Sequence, residues 1–133
     1  MSSTWSSLHH GEHAAVKTSV DGNVTGTTAL TVWTVASDKT FILRGWSLAF
    51  FSSTTGGNDH NLVFADGSVS AIGPGIIGVD ASAGVVGKDK EKIPGGWQSG
   101  TQGNDLVIVA DQDASTHVVH VSGLIWGDYL EDL

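Results

Sequence analysis

The chain has 133 residues, no cysteine, and 14 acidic against 6 basic side chains, which gives a formal net charge of −8 at pH 7. Its length suits one domain with a substantial core, and its 40% hydrophobic content is too high for a disordered chain. These numbers exclude a disulfide scaffold, a thiolate metal site and a catalytic cysteine, and the acidic balance argues against nucleic acid as a partner.

Short runs rich in Val, Thr, Ile, Phe and Trp, separated by Gly, Asp, Asn and Ser, recur along the chain, and helical periodicity is nearly absent. This pattern predicts an all-β fold, an antiparallel and jelly-roll-like β-sandwich of about eight or nine short strands. The predicted strands cover residues 14–20, 28–36, 40–52, 61–65, 68–72, 76–79, 83–87, 104–110 and 116–126. We expect a single domain over residues 13–127, with an N-terminal arm over 1–12 and an acidic C-terminal tail over 128–133.

Three connections can be predicted from their residues. Asp66-Gly67 separates two β-rich runs and favours a type I′ hairpin, and Asp21-Gly22-Asn23 has the same character between the first two strands. A long Gly-rich connection is expected over residues 87–103.

Strands 40–52 and 116–126 carry apolar residues at both odd and even positions. In the first of them, simple alternation places one set of side chains on one face and a second set on the other: Ile42, Trp46, Leu48 and Phe50 against Phe41, Leu43, Ala49 and Phe51. A two-layer monomer covers only one face of such a strand, so we expect a homo-oligomer. The alternative is a thick sandwich whose loops fold over one sheet.

Candidate metal ligands occur at two places, His9-His10 with His13, and Asp111 with Asp113. The histidines lack the H-E-x-x-H order of zinc hydrolases, and the aspartates stand where a turn needs polar residues. No nucleophile elbow or P-loop is present, so we expect neither an enzyme nor a bound metal or cofactor. No secretory signal or membrane-spanning stretch is visible, so a membrane is not expected as a partner.

Two kinds of segment favour partner binding. Residues 88–92 alternate Lys with acid, so an extended conformation would present Lys on one side and carboxylates on the other. Large aromatic side chains in polar or Gly-rich segments, and the apolar residues of the tail, are suited to anchoring a partner. The candidate partner-binding residues are Trp5, Lys88, Lys90, Lys92, Trp97, Tyr129 and Leu130.

Residues 33–46, WTVASDKTFILRGW, resemble a pattern found in small virion proteins of tailed bacteriophages. The later order is similar as well, with LVFADG at 62–67, GNDLVI at 103–108 and the strand and glycine of 119–127. The likeness covers about residues 28–127 and is to short jelly-roll proteins that decorate phage capsids, often as trimers.

The resemblance implies a decoration or cement protein that binds the outside of a capsid and stabilises it. Its partners would be the major capsid protein and two further copies of itself, and its location the virion surface after assembly in the host cytoplasm. The family pattern designates no catalytic residue. The alternative is a carbohydrate- or receptor-binding β-sandwich, in which Trp97 and the loop 95–103 would form the sugar platform.

Overall fold

The computed structural model describes residues 15–25, 28–52, 60–67, 71–79, 86–110 and 118–133. These residues form eight strands and one 3₁₀ turn at Leu130–Asp132. The strands are Val16–Val24 (β1), Leu30–Trp33 (β2), Phe41–Ser52 (β3), His60–Asp66 (β4), Ala71–Val79 (β5), Val86–Gln98 (β6), Leu106–Ala110 (β7) and Val119–Tyr129 (β8).

Two four-stranded antiparallel sheets pack as a sandwich, with strand orders β1-β8-β3-β6 and β2-β7-β4-β5. The chain pairs with itself as one long antiparallel hairpin, whose tip lies between β4 and β5. Its successive pairs are β1·β8, β2·β7, β3·β6 and β4·β5. Pairing of β3 with β8 and of β4 with β7 rolls that hairpin into two sheets. This is the jelly-roll arrangement, so the predicted fold class is confirmed.

The core lies between the inner faces of the two sheets and is rich in large aromatic side chains. The Trp46 ring from one sheet meets the Phe64 ring from the other at a centroid distance of 4.8 Å. Trp33 lies against Phe41 in the same way, at 5.7 Å. All four side chains are buried, so the aromatic residues of three strands hold the sheets together.

The predicted facing of β3 is wrong, because a bulge between Leu43 and Gly45 shifts its alternation by one residue. The side chains that reach the core are Phe41, Leu43, Trp46, Leu48 and Phe50. Most of the apolar area of β3 is therefore satisfied within one sandwich. The outer face of this strand needs less cover than the sequence suggested, and β3 lends less support to an oligomer.

The predicted turn at Asp21-Gly22-Asn23 is also wrong. All three residues are paired within β1, opposite β8. Beyond β1, Thr25 N donates to Thr28 O at 3.1 Å and Thr28 N donates to Thr25 Oγ1 at 2.9 Å. The Thr25 hydroxyl is therefore a hydrogen-bond acceptor between β1 and β2, whereas Asp21-Gly22-Asn23 lies within β1.

The hairpin at Asp66-Gly67 forms, but its loop is longer than two residues, since Asp66 pairs with Ala71. Gly67 has φ +60°. Asp66 is buried, and its Oδ2 accepts hydrogen bonds from Ser99 Oγ and Gly100 N, each at 2.9 Å. Tertiary contacts therefore keep Asp66 at the strand end and out of the turn.

The connection predicted over residues 87–103 is mostly strand, because β6 runs through it to Gln98. β6 is an edge strand, and edge positions tolerate the lysines and Pro94 that made this segment look like a loop. The predicted strands 68–72 and 76–79 are one strand over the described residues, β5. At the other end, β8 continues past the predicted domain boundary to Tyr129.

Candidate functional site

The outer face of the sheet β1-β8-β3-β6 is the largest surface that the register defines, and we call it the lysine face. Its members alternate with the core residues on each strand and lie opposite one another in neighbouring strands. They are Lys17, Ser19, Asp21 and Asn23 from β1, His120, Ser122, Leu124 and Trp126 from β8, Gly45, Ser47, Ala49 and Phe51 from β3, and Lys88, Lys90 and Lys92 from β6.

The alternating charges of β6 are sorted to its two sides, as the sequence predicted. Lys88 lies opposite Ala49, and Lys90 lies opposite Ser47, on the outer face. Asp89 faces the other way, where its Oδ2 accepts a hydrogen bond of 2.7 Å from Trp46 Nε1. This bond joins the charged edge strand to the core, with the lysines left on the outside.

Basic side chains concentrate on this face although the protein as a whole is acidic. Arg44 also lies there, since its Nε is 3.0 Å from Oδ2 of Asp128 on the outer side of β8. Among the described residues, the face thus holds five of the six basic residues of the chain and two carboxylates, Asp21 and Asp128. It carries a formal +3, and the rest of the chain carries −11.

Charges on the β1 side of the lysine face are already paired. His120 Nε2 lies 2.8 Å from Asp21 Oδ1, and His120 Nδ1 lies 3.0 Å from Asn23 Oδ1. On the β6 side, neither Lys88 nor Lys90 forms an ion pair with another described residue, and both are exposed. The β6 side is therefore the part of the face whose positive charges can form ion pairs with a partner.

Apolar side chains lie among these charges. Phe51 is 45% exposed, whereas Trp126 is buried. The Trp126 ring lies over Gly45, so close that a Cβ added to Gly45 would lie 2.7 Å from it. Four strands spaced by about 4.8 Å, each about eleven residues long, give this face an area of roughly 700 Å². That is close to the roughly 800 Å² that each partner contributes to a standard protein–protein interface.

The outer face of the second sheet is smaller and uncharged at its centre. Val63, Ala65, Val107 and Val109 pack against one another there, on the side of β4 and β7 opposite to the core. The two valines of β7 are buried, so they are not a free apolar surface.

Trp97 was predicted in a Gly-rich loop, but it lies near the end of β6. Its half-buried ring lies 5.5 Å from the Phe41 ring, centroid to centroid, and close to Gly73. It therefore closes the side of the sandwich where β5 meets β6. This packing leaves less of the ring available as a platform for a sugar.

Residues of the predicted tail fold back onto their own sandwich. Tyr129 Oη accepts a hydrogen bond of 3.1 Å from Trp33 Nε1, and Lys39 Nζ lies 5.6 Å from the centre of the Tyr129 ring. Leu130 N donates to Thr40 O at 2.9 Å, while its side chain is 41% exposed. Trp5 lies outside the described residues.

We call residues 130–133 the acidic turn. Thr40 N donates to Glu131 Oε1 at 2.7 Å, and this bond lowers the pKa of Glu131. Asp132 forms a 3.0 Å ion pair with Lys39 and raises the pKa of that ammonium, and Asp38 and Glu131 act in the same direction. One lysine thus stands among three carboxylates, and this end of the sandwich keeps an excess of negative charge.

The described residues show neither a metal-binding cluster nor a membrane-spanning helix. Over the described ranges, no three His, Asp or Glu side chains are grouped so that they could hold a metal ion. The candidate ligands His9, His10, His13, Asp111 and Asp113 lie outside those ranges. Among the described residues, no helix has the length and apolar character needed to cross a bilayer.

Sequence reasoning found the lysines of β6 but missed Lys17, Phe51 and Leu124 as members of the same surface. Their common signal is alternation, which became readable only once the bulge at Gly45 and the register of β1 were known. Comparison with known proteins found no matching family model, no similar curated protein and no similar solved structure.

Proposed function

We propose that the protein is a structural virion protein that binds the outside of a bacteriophage capsid as a homotrimer and stabilises the shell. The observation that carries this proposal is the lysine face. It is an exposed sheet surface of near-interface area on an otherwise acidic molecule, and it combines Phe51 with Lys88 and Lys90, which form no ion pair with another described residue. Such a surface suits association with protein.

The fold is compatible with this role, since jelly rolls include viral capsid domains, but they also include lectins and cupins, so the fold alone assigns no function. The sequence resemblance to phage decoration proteins favours the first group. Packing of Trp97 against Phe41 weakens the carbohydrate-binding alternative, which required that ring in an open loop.

In this proposal the sandwich supplies the contacts between copies, and the N-terminal arm over residues 1–12 supplies attachment to the major capsid protein. The arm precedes β1, which starts at Val16, so the arm can be removed without cutting into β1. The protein would reside on the virion surface after assembly in the host cytoplasm.

The test uses heads of the phage that encodes this chain, prepared with and without its gene. Purified protein is added to heads that lack it, and the bound copies and the temperature of head disruption are measured. We expect saturable binding to the outside of the head and a higher disruption temperature. The variant without residues 1–12 should bind less while its circular dichroism spectrum stays the same. Absence of binding to heads, or binding only to tails, would contradict the proposal.

A further inference from the structure

We propose that the acidic turn of one copy docks on the lysine face of the next copy, so that the chains associate head to tail and close into a ring. The inference rests on the homo-oligomer of the proposed function but not on capsid binding. It assigns the contact surfaces, which the proposed function leaves open.

Exposed apolar side chains point to these two surfaces. Among the described residues, three large apolar side chains are exposed: Phe51 at 45%, Leu130 at 41% and Leu133 at 74%. Phe51 belongs to the lysine face, and the two leucines belong to the acidic turn. Burying these groups against each other removes apolar area from water on both partners.

Charge favours the same pairing. The lysine face carries +3, and its β6 side presents Lys88 and Lys90 without ion-pair partners among the described residues. The acidic turn presents Glu131 and Asp132, with Asp38 beside them, and Lys39 forms an ion pair with Asp132. Contact of two lysine faces would bring like charges together, whereas contact of face with turn brings opposite charges together.

The sandwich cannot make this contact within one copy. The turn follows Tyr129, which pairs with Phe41 at the start of β3, whereas Phe51 lies near the other end of that strand. Ten residues of extended strand separate Phe41 from Phe51 by about 34 Å. The partner must therefore be a second copy, and unlike surfaces meet. Such heterologous contacts form closed rings when the rotation between copies permits.

The partner that binds the lysine face is a second copy of this chain and not a polyanion. A nucleic acid or an anionic membrane would also meet lysines, but the net charge of −8 repels a highly charged polymer before contact. A folded neighbour presents only a few carboxylates at one place. Most of the charged side chains of both surfaces are exposed to solvent, so we expect the association between copies to weaken as salt rises.

The experiment compares four full-length proteins by size-exclusion chromatography with light scattering. They are the wild type, K88E/K90E, D38K/D132K and the variant that combines all four substitutions. Glu131 is kept, because it accepts the Thr40 N–H that holds the turn. The combined variant is the matched control, since it contains every change and restores the wild-type net charge.

We expect the wild type to have a mass close to three times 13.8 kDa and each two-residue variant to have the mass of one copy. The combined variant should recover the wild-type mass, because the substitutions change the formal charge of the face from +3 to −1 and that of residues 38, 39, 131 and 132 together from −2 to +2. A fifth protein, T31E/T34E, changes two exposed residues outside both surfaces and should keep the oligomer.

Each other outcome overturns a defined part of the reasoning. An oligomer that survives K88E/K90E and D38K/D132K overturns these surfaces while leaving a homo-oligomer in place. Failure of the combined variant to recover the mass overturns the pairing of face with turn. A wild type of 13.8 kDa overturns both the inference and the homo-oligomer, and it leaves capsid binding to the test on heads.

Discussion

The hydrogen bond from Trp46 to Asp89 is expected to hold the charged edge strand β6 on β3. Trp46 is 2% exposed, and its Nε1 donates to Asp89 Oδ2 at 2.7 Å. Replacing Asp89 with Ala removes the acceptor and leaves an indole N–H without a partner in the core. Replacing Asp89 with Asn keeps an oxygen that can accept the same bond.

The expected cost follows from the chemistry of this pair. A hydrogen bond to a charged group contributes about 1.5–3 kcal/mol, and Asp89 is only half-buried, so we expect D89A to lose about 1.5 kcal/mol. D89N should lose less than about 1 kcal/mol, because a neutral acceptor still satisfies the N–H. In a W46F background the donor is absent, so D89A should cost little more than W46F alone.

Urea unfolding followed by circular dichroism measures these free energies for the wild type, D89A, D89N, W46F and W46F/D89A. The midpoint should fall for D89A at an unchanged m-value. Equal losses for D89A and D89N, or additive losses for W46F and D89A, would refute the claim that the hydrogen bond anchors the strand.

Three further results are expected. Gly45→Ala should lower the free energy of unfolding, measured in urea, by about 1–3 kcal/mol, because the new Cβ would crowd the Trp126 ring. Ser47→Ala is the control, and equal stability of the two variants would contradict this packing. The hydrogen bond from Thr40 N lowers the pKa of Glu131 in the folded protein from the ordinary value of 4.5. The ionised Glu131 therefore stabilises the fold fully above pH 4.5, and this stabilisation is lost as pH falls through the lowered pKa. Glu131→Gln should therefore flatten the acid limb of a plot of Tm against pH, and an unchanged limb would oppose this. EDTA should leave Tm unchanged, and a fall of more than a few degrees would restore the metal-site interpretation.

The strand pattern was predictable because alternation and turn residues are local signals. Val119, Val121 and Ile125 face the core and Trp126 faces outward, as simple alternation in the last strand predicts. The bulge beside Gly45 was not predictable, since it shows only in the register of β3 with β6 and β8, which lie far from it in sequence. One extra residue there reversed the facing of half of the strand.

Most of β6 was missed for a related reason, since the strand predicted over 83–87 covers only its first two residues. Its lysines, Pro94 and glycines are poor strand formers in a sheet interior, but an edge strand pairs on one side only and tolerates them. The charged alternation of residues 88–92 was still predicted, because it depends only on an extended backbone. The lysine face as a whole was not, because its members are distant in sequence and meet only through the register of four strands.

The claim on which the account rests most heavily is that copies of this chain associate with one another. Sedimentation equilibrium of the wild type tests it in about 0.1 M and about 1 M NaCl, where the Debye length is about 10 Å and about 3 Å. We predict a mass close to three times 13.8 kDa at the lower salt and a shift toward 13.8 kDa at the higher salt. A mass of 13.8 kDa under both conditions would contradict it.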